Sequence, residues 1–368
     1  MDAIITGRGS SLRFEAALRD VNAHSFLLVK DAAFAHLPCA KNISACALPH
    51  VDFDSFTSNP RYDDVRKGVA LFRENGCDAI LAVGGGSSID VAKCIKLFAR
   101  MDPSACYLQQ PFEDSGIPLV AIPTTAGTGS EATRFAVIYD QGEKQSIAQD
   151  GLVPDRAILD GALLDTLPVF QKKCTLLDAL CQGIESWWSV RSTDESVQYS
   201  RLAVESIARH MDGYLAGEQA AADELLLASH RAGQAINLTQ TTAPHAMSYK
   251  LTSLYGLPHG YAVALCLPQV WRYMLAYPQR CVDPRGSAFL SARFVQIASA
   301  LGCGSPQAAI VWLEAMLARL GMLPPPQASA AELPVLAGTV NPVRLKNNPV
   351  SITAQDAETL YRAILRIA

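Results

Sequence analysis

The sequence predicts an α/β domain over residues 1–165 followed by an all-α domain over residues 166–368. Three observations carry this reading. Short apolar runs bounded by glycine and proline alternate with helix-period segments through the first part of the chain. After Pro168 the strand signals nearly vanish and long helical patterns take over. A chain of 368 residues is also longer than a single core of ordinary size sustains.

Taken in order, Ser25–Val29 is a β-prone run, and Asp63–Glu74 repeats apolar residues at helical spacing. Ala79–Val83 reads as a buried strand that ends in Gly84-Gly85-Gly86, and Ile89–Ala99 continues as a helix. Pro118–Pro123 is another short strand, followed by a Gly/Thr-rich turn. Phe135–Tyr139 runs into Asp140-Gln141-Gly142, a strand entering a hairpin turn. Four long helices are then expected, over 176–189, 195–216, 221–238 and 290–302. The Pro/Ala-rich stretch 323–334 reads as a surface connection.

Composition excludes several classes. About half the residues are apolar and the formal net charge is -4, the profile of a globular protein with no nucleic-acid footprint, since the basic residues are scattered. The ten cysteines include no C-x-x-C, which argues against a zinc cluster, and buried thiols in a reducing compartment account for them. No window approaches the length of a membrane span and no cleavable leader is evident, so the expected location is the cytoplasm.

Two turns suggest a phosphate-bearing ligand. VGGGSSIDVAK follows a strand and opens a helix, where glycines admit a close backbone approach and the helix N-terminus offers free N–H groups. It is neither G-x-G-x-x-G nor a P-loop. PTTAGTGSEATRF adds the hydroxyls of Thr124, Thr125, Thr128 and Ser130. Two such turns at strand ends in one α/β domain point to a shared, long ligand, a dinucleotide. Asp31, just past the first strand, is either a ribose-binding acid or the cap of a short helix.

The stretch LDALCQGIESWW places Asp178 and Gln182 one helical turn apart on a mostly apolar helix. Of the seven histidines, five lie singly in helical or loop surroundings and read as surface or core. His245 and His259 each follow a proline within one small-residue-rich segment. Asp178, Gln182, His245 and His259 together offer two nitrogens and two oxygens, a set suited to a borderline divalent ion.

GGGSSIDVAK, PTTAGTGSE, DAL-x-x-x-IES, PHAMSY and PHGYAVAL occur in the order seen in the iron-containing (group III) alcohol dehydrogenases, which the chain resembles over most of its length. The resemblance implies an N-terminal Rossmann-like dinucleotide-binding domain, a C-terminal helical domain and an active site with a divalent metal in the cleft between them. It implies that Gly85, Gly86, Ser87 and Asp90 form the pyrophosphate turn and that Thr124, Thr125 and Ser130 form the second cofactor loop. Lys144 matches a lysine that reaches the nicotinamide ribose, and Asp31 an acid that favours NAD(H) over NADP(H). The metal positions fall on Asp178, Gln182, His245 and His259, with Fe2+ favoured and Mn2+ or Zn2+ compatible. His259 and Tyr249 are the implied catalytic residues, and a homodimer acting on a small aldehyde or alcohol is expected.

Two positions depart from the family pattern. Gln182 stands where a histidine is usual, and its neutral amide oxygen should weaken the site and bias it toward iron or manganese. Tyr249 stands where a second histidine is common, and a phenol can still relay a proton. The Gln182 helix with GIESWWSVRST, TTAPHAMSY and RLKNNPV is similar to a narrower branch, the phosphonoacetaldehyde reductases. A phosphonate dianion needs fixed cations, for which Arg134, Arg191 and Lys346 are candidates. Two other classes stay open here: a sugar-phosphate cyclase of the dehydroquinate synthase kind and a metal-free binding protein.

Overall fold

The run Ala79–Gly84 (β4) is buried at every residue, as a strand covered on both faces of a parallel sheet must be. The computed structural model describes residues 4–340 and 345–367; Arg344 of the RLKNNPV segment lies outside them. β4 sits inside a six-stranded parallel sheet with β1 (Ile4–Thr6), β2 (Phe26–Lys30), β3 (His50–Phe53), β5 (Leu119–Pro123) and β8 (Arg156–Leu159). The strand order is β1-β8-β5-β4-β2-β3. A separate antiparallel hairpin joins β6 (Phe135–Asp140) to β7 (Glu143–Ala148). Its turn, Gln141-Gly142, has positive φ at both residues, the geometry two-residue hairpins favour.

Side chains along each strand alternate between two cores. Leu27, Val29, Ile80, Ala82, Leu119 and Ala121 join one, with α3 (Tyr62–Glu74) and α4 (Gly86–Phe98) over it. Phe26, Leu28, Leu81, Val83, Val120 and Ile122 join the other, under α1 (Phe14–Asp20) and α2 (Ala40–Ser44). Each fully buried aliphatic side chain contributes about 1.5–3 kcal/mol. The connection from β2 to β3 covers one face, while α3 and α4 cover the other. The strand order therefore reverses between β2 and β4, and the crevice beyond their C-terminal ends is where open α/β sheets bind ligands.

The chain divides into two units. The first holds the residues up to Pro168 together with Ala216–Gly233, and the second holds Val169–Leu215 together with the residues from Gln234 on. The inserted stretch belongs to α7 (Gln219–Thr239). Its contacts in the first unit include a backbone approach so close that a Cβ on Gly129 would lie 2.6 Å from Gly233 Cα.

The second unit is helical. Its core is α5 (Val169–Trp188), α8 (Ala243–Tyr255) and α9 (His259–Ala276), with α6 (Asp194–Ala216), α10 (Ser287–Ala300), α11 (Pro306–Leu320), α12 (Leu333–Gly338) and α13 (Ala354–Ile364) completing its helices among the described residues. Trp188 and Trp271 are fully buried and meet edge to face at 5.5 Å. Tyr361 Oη on α13 donates to Met247 O at 2.7 Å, which anchors the start of α8. No described helix is long and apolar enough to cross a membrane.

Candidate metal centre and cofactor turns

The histidines at the heads of α8 and α9 owe their positions to the prolines before them. Pro244 occupies the first turn of α8 and Pro258 caps α9, places where a missing N–H costs nothing. His245 therefore lies in the first turn of α8, and His259 opens α9. Gly260 permits the next step. A Cβ there would lie 2.1 Å from Cys174 O and 2.7 Å from Asp178 Cβ, so only glycine lets α9 sit this close to α5.

Asp178 and both histidines thereby converge. Their potential ligand atoms lie within 4.8 Å of one another; His245 Nε2 is 3.3 Å and His259 Nε2 4.0 Å from Asp178 Oδ1. Asp178, Gln182 and His245 are each 4% exposed, whereas the His259 side chain is 40% exposed, so the cluster opens toward solvent at His259. Tyr249 stacks on the His259 ring at 5.9 Å.

The residues fit a divalent cation. Asp178 Oδ1 is buried and accepts no hydrogen bond even with His245 Nε2 beside it, which leaves a buried acceptor facing a ring nitrogen. A carboxylate so placed is costly unless a cation completes it. Burial raises the Asp178 carboxyl, but His245, His259 and the Gln182 amide hold it below its usual range. Burial lowers the His245 imidazolium, yet the Glu185 and Asp178 carboxylates push it up to about 10. The centre is thus built to hold positive charge, and one carboxylate and two imidazoles are donors that a divalent cation takes. Gln182 lies on the same face, against Asp178.

In the first unit the two Gly-rich turns lie side by side. Thr124 N donates to Gly84 O at 3.0 Å. A Cβ on Gly85 would sit 3.5 Å from Thr125, and one on Gly86 would sit 2.7 Å from Thr128 Cγ2. The close approach of the two turns beside the N-terminus of α4 thus depends on Gly86 lacking a side chain, and a backbone cradle there fits a phosphate-bearing ligand. Asp31 stands across the same crevice. Its Oδ1 caps Ala33 N at 3.0 Å and its Oδ2 accepts from Ser88 Oγ at 3.2 Å, so it is a cap and also faces the turn. Ser87 Oγ donates to Ser58 O at 2.5 Å.

Asp90 is held from within the unit, accepting from Ser130 Oγ at 2.7 Å and Val137 N at 3.0 Å. Lys144, on β7, lies close enough to lower the Asp90 carboxyl electrostatically, although burial outweighs this and raises it. Lys93, to which the sequence reading assigned no role, reaches from α4 to the segment that follows the second turn. Its buried ammonium donates to Ser130 O, Thr133 O and Phe135 O at 2.6–2.8 Å and to the Ser130 and Thr133 hydroxyls. His230 donates from α7 to Glu131 Oε1 at 3.2 Å, both side chains buried.

The three proposed substrate cations do not form one cluster within a unit. Arg134 belongs to the first, where it pairs with Asp150 at 2.8 Å. Arg191 and Lys346 are exposed in the second. Each is one residue from the backbone hydrogen bond Val190 N to Asn347 O, so their backbones neighbour each other. Glu185, two turns beyond Asp178 on the same helix face, is fully buried against His245; the i, i+4, i+7 spacing of Asp178, Gln182 and Glu185 was the signal available for it.

Comparison with known proteins agrees with this architecture. Residues 2–161 match the family model described as iron-containing alcohol dehydrogenase, and residues 173–365 match the C-terminal domain of the Fe-containing alcohol dehydrogenase family. The phosphonoacetaldehyde reductase of Streptomyces viridochromogenes is 35% identical, over 82% of this chain and 79% of its own. The NAD-dependent methanol dehydrogenase of Bacillus methanolicus is 32% identical over 74% of each chain. The sulfoacetaldehyde reductase of Bifidobacterium kashiwanohense, solved with NAD+, superposes with a TM-score of 0.88 at 27% identity, covering 99% of this chain and 96% of that one. The chain is therefore an oxidoreductase that belongs to the iron-containing alcohol dehydrogenase family.

Proposed function

We propose that the protein reduces phosphonoacetaldehyde to 2-hydroxyethylphosphonate, with NADH as the preferred reductant and a divalent metal, Fe2+ first, held by Asp178, Gln182, His245 and His259. The observation that carries the metal reading is the buried Asp178 Oδ1 facing two imidazoles with no hydrogen bond of its own. The substrate reading is supported by the similarity to a phosphonoacetaldehyde reductase and, in fold, to a sulfoacetaldehyde reductase. Both names describe an acetaldehyde that carries a tetrahedral anionic group.

When bound, the metal supplies Lewis-acid polarisation of a carbonyl, and the reduced nicotinamide supplies hydride. The chain's own residues bind and orient. Asp178 and His245 form the buried side of the centre, and His259 forms its open side. Tyr249, stacked on His259, is the nearby group able to pass a proton to a developing alkoxide. Arg191 and Lys346 offer charge for the phosphonate. The Asp31 carboxylate, held by Ser88, disfavours a 2′-phosphate and so favours NAD(H).

Steady-state rates with phosphonoacetaldehyde, acetaldehyde and lactaldehyde, each with NADH and NADPH, test this reading. The largest kcat/KM is expected for phosphonoacetaldehyde with NADH. Equal values on the unsubstituted aldehydes would remove the phosphonate assignment.

A further inference from the structure

We infer that Glu185 is a positioning residue that sets the tautomer of His245 and thereby keeps Nε2 free to ligate metal; this rests on the metal reading of the Asp178–His245–His259 cluster. Glu185 is completely buried. Its Oε1 accepts from His245 Nδ1 at 2.5 Å. Its Oε2 accepts from Thr242 N at 2.7 Å and Thr242 Oγ1 at 2.9 Å. The Thr242 hydroxyl in turn accepts from Trp188 Nε1 at 2.9 Å. Every lone-pair direction that matters is thus committed by groups fixed in α5 and at the head of α8.

The consequence lies in where the imidazole proton sits. A metal that ligates Nε2 displaces the imidazolium proton there and leaves His245 one N–H, which Glu185 holds on Nδ1. The lone pair is then on Nε2, which points at Asp178 Oδ1, where a cation would be shared. An outer carboxylate that orients a ligating histidine in this way tunes affinity.

Glu185→Gln separates this role from simple packing. The amide has the same shape but one donor end. The Thr242 backbone N–H cannot become an acceptor, so it takes the amide oxygen. The amide NH2 group then faces His245 Nδ1 and forces it to accept. The imidazole proton moves to Nε2 and blocks the ligand position. Thr242→Val is the companion variant. It removes a hydroxyl from the same network but leaves the backbone donor and the carboxylate, so the tautomer is kept.

The test is an anaerobic Fe(II) affinity measurement on full-length protein by competition with a colorimetric chelator, with melting temperatures of the chelated proteins alongside. E185Q is expected to bind Fe(II) about 10- to 100-fold more weakly than wild type. T242V is expected to stay within about twofold of wild type, because the ligand's lone pair is undisturbed. Wild-type affinity in E185Q would overturn the inference and leave the metal reading intact, as would equal losses in E185Q and T242V that track their melting temperatures. A wild-type protein that takes up no Fe(II) would remove the metal reading and this inference together.

Discussion

Lys93→Met tests whether the cofactor turns are held from beneath by one buried charge. Methionine is about as long as lysine but donates nothing, so packing is largely kept while five contacts disappear. Burial lowers the Lys93 ammonium to about 8, with the Asp90 and Glu131 carboxylates pulling it up, so it is charged at pH 7. Some acceptors keep partners. Ser130 O still accepts from Thr133 N and Oγ1, and Asp90 still accepts from Ser130 Oγ and Val137 N. Thr133 O loses a 2.7 Å charged donor, and the buried Asp90 carboxylate loses the positive charge that favours it most. A charge-assisted bond contributes about 1.5–3 kcal/mol, and these contacts share one ammonium, so about 3 kcal/mol is the expected total. For a unit of this size that lowers the melting temperature by about 6–12 °C. The loop from Thr124 to Thr133 should loosen with it and weaken NAD+ binding. Calorimetric melting and isothermal titration with NAD+ read both effects. A melting shift under about 2 °C with unchanged NAD+ affinity would refute the reasoning.

Two further outcomes follow from the second unit. Gly260→Ala drives a methyl group against Cys174 O and Asp178, so α9 must move away from α5 and carry His259 with it. Metal content should fall sharply in purified protein whose circular dichroism stays helical, and undiminished metal would contradict the close-approach argument. Asp356 accepts from Thr353 N, Thr353 Oγ1 and Arg280 in the first turn of α13. Burial raises its carboxyl, but these partners hold it below the usual carboxylate range. Its folded value is below the unfolded one, so its stabilisation is present above the ordinary carboxylate range and lost as the pH falls through the folded value. Asp356→Asn should cost about 1 kcal/mol at pH 7, the worth of a helix cap, and the gap to wild type in thermal melts should close in acid; a gap independent of pH would contradict this.

Legibility in the sequence followed the range of the interactions. β4 and β5 could be read because buried parallel strands are continuous apolar runs that end at glycine-rich turns. The hairpin at Gln141-Gly142 was legible for the same local reason. β1, with three residues, and β8, with four, are too short to show a pattern. α8 and α9 were hidden because prolines look like breakers, whereas here they start helices. The packing of residues 216–233 with the first unit leaves no periodic trace, since an amphipathic helix reads alike whichever core it joins. Within the site, residue types and the resemblance together singled out Asp178, Gln182, His245 and His259. The roles of Lys93 and Gly260 stayed invisible, because each depends on partners more than 30 residues away that no local spacing reveals; the helical spacing puts Glu185 on the Asp178 face but does not show its partner His245.

The most direct test of the metal-centred account is the Fe(II) content and aldehyde-reductase activity of anaerobically reconstituted wild type and His259→Ala. The account predicts close to one ion per chain in wild type, with activity lost on chelation and restored by Fe(II). It predicts almost no retained metal and no turnover in H259A. A wild-type protein that reduces aldehyde at full rate without metal, or an H259A protein that keeps its ion and its activity, would contradict it.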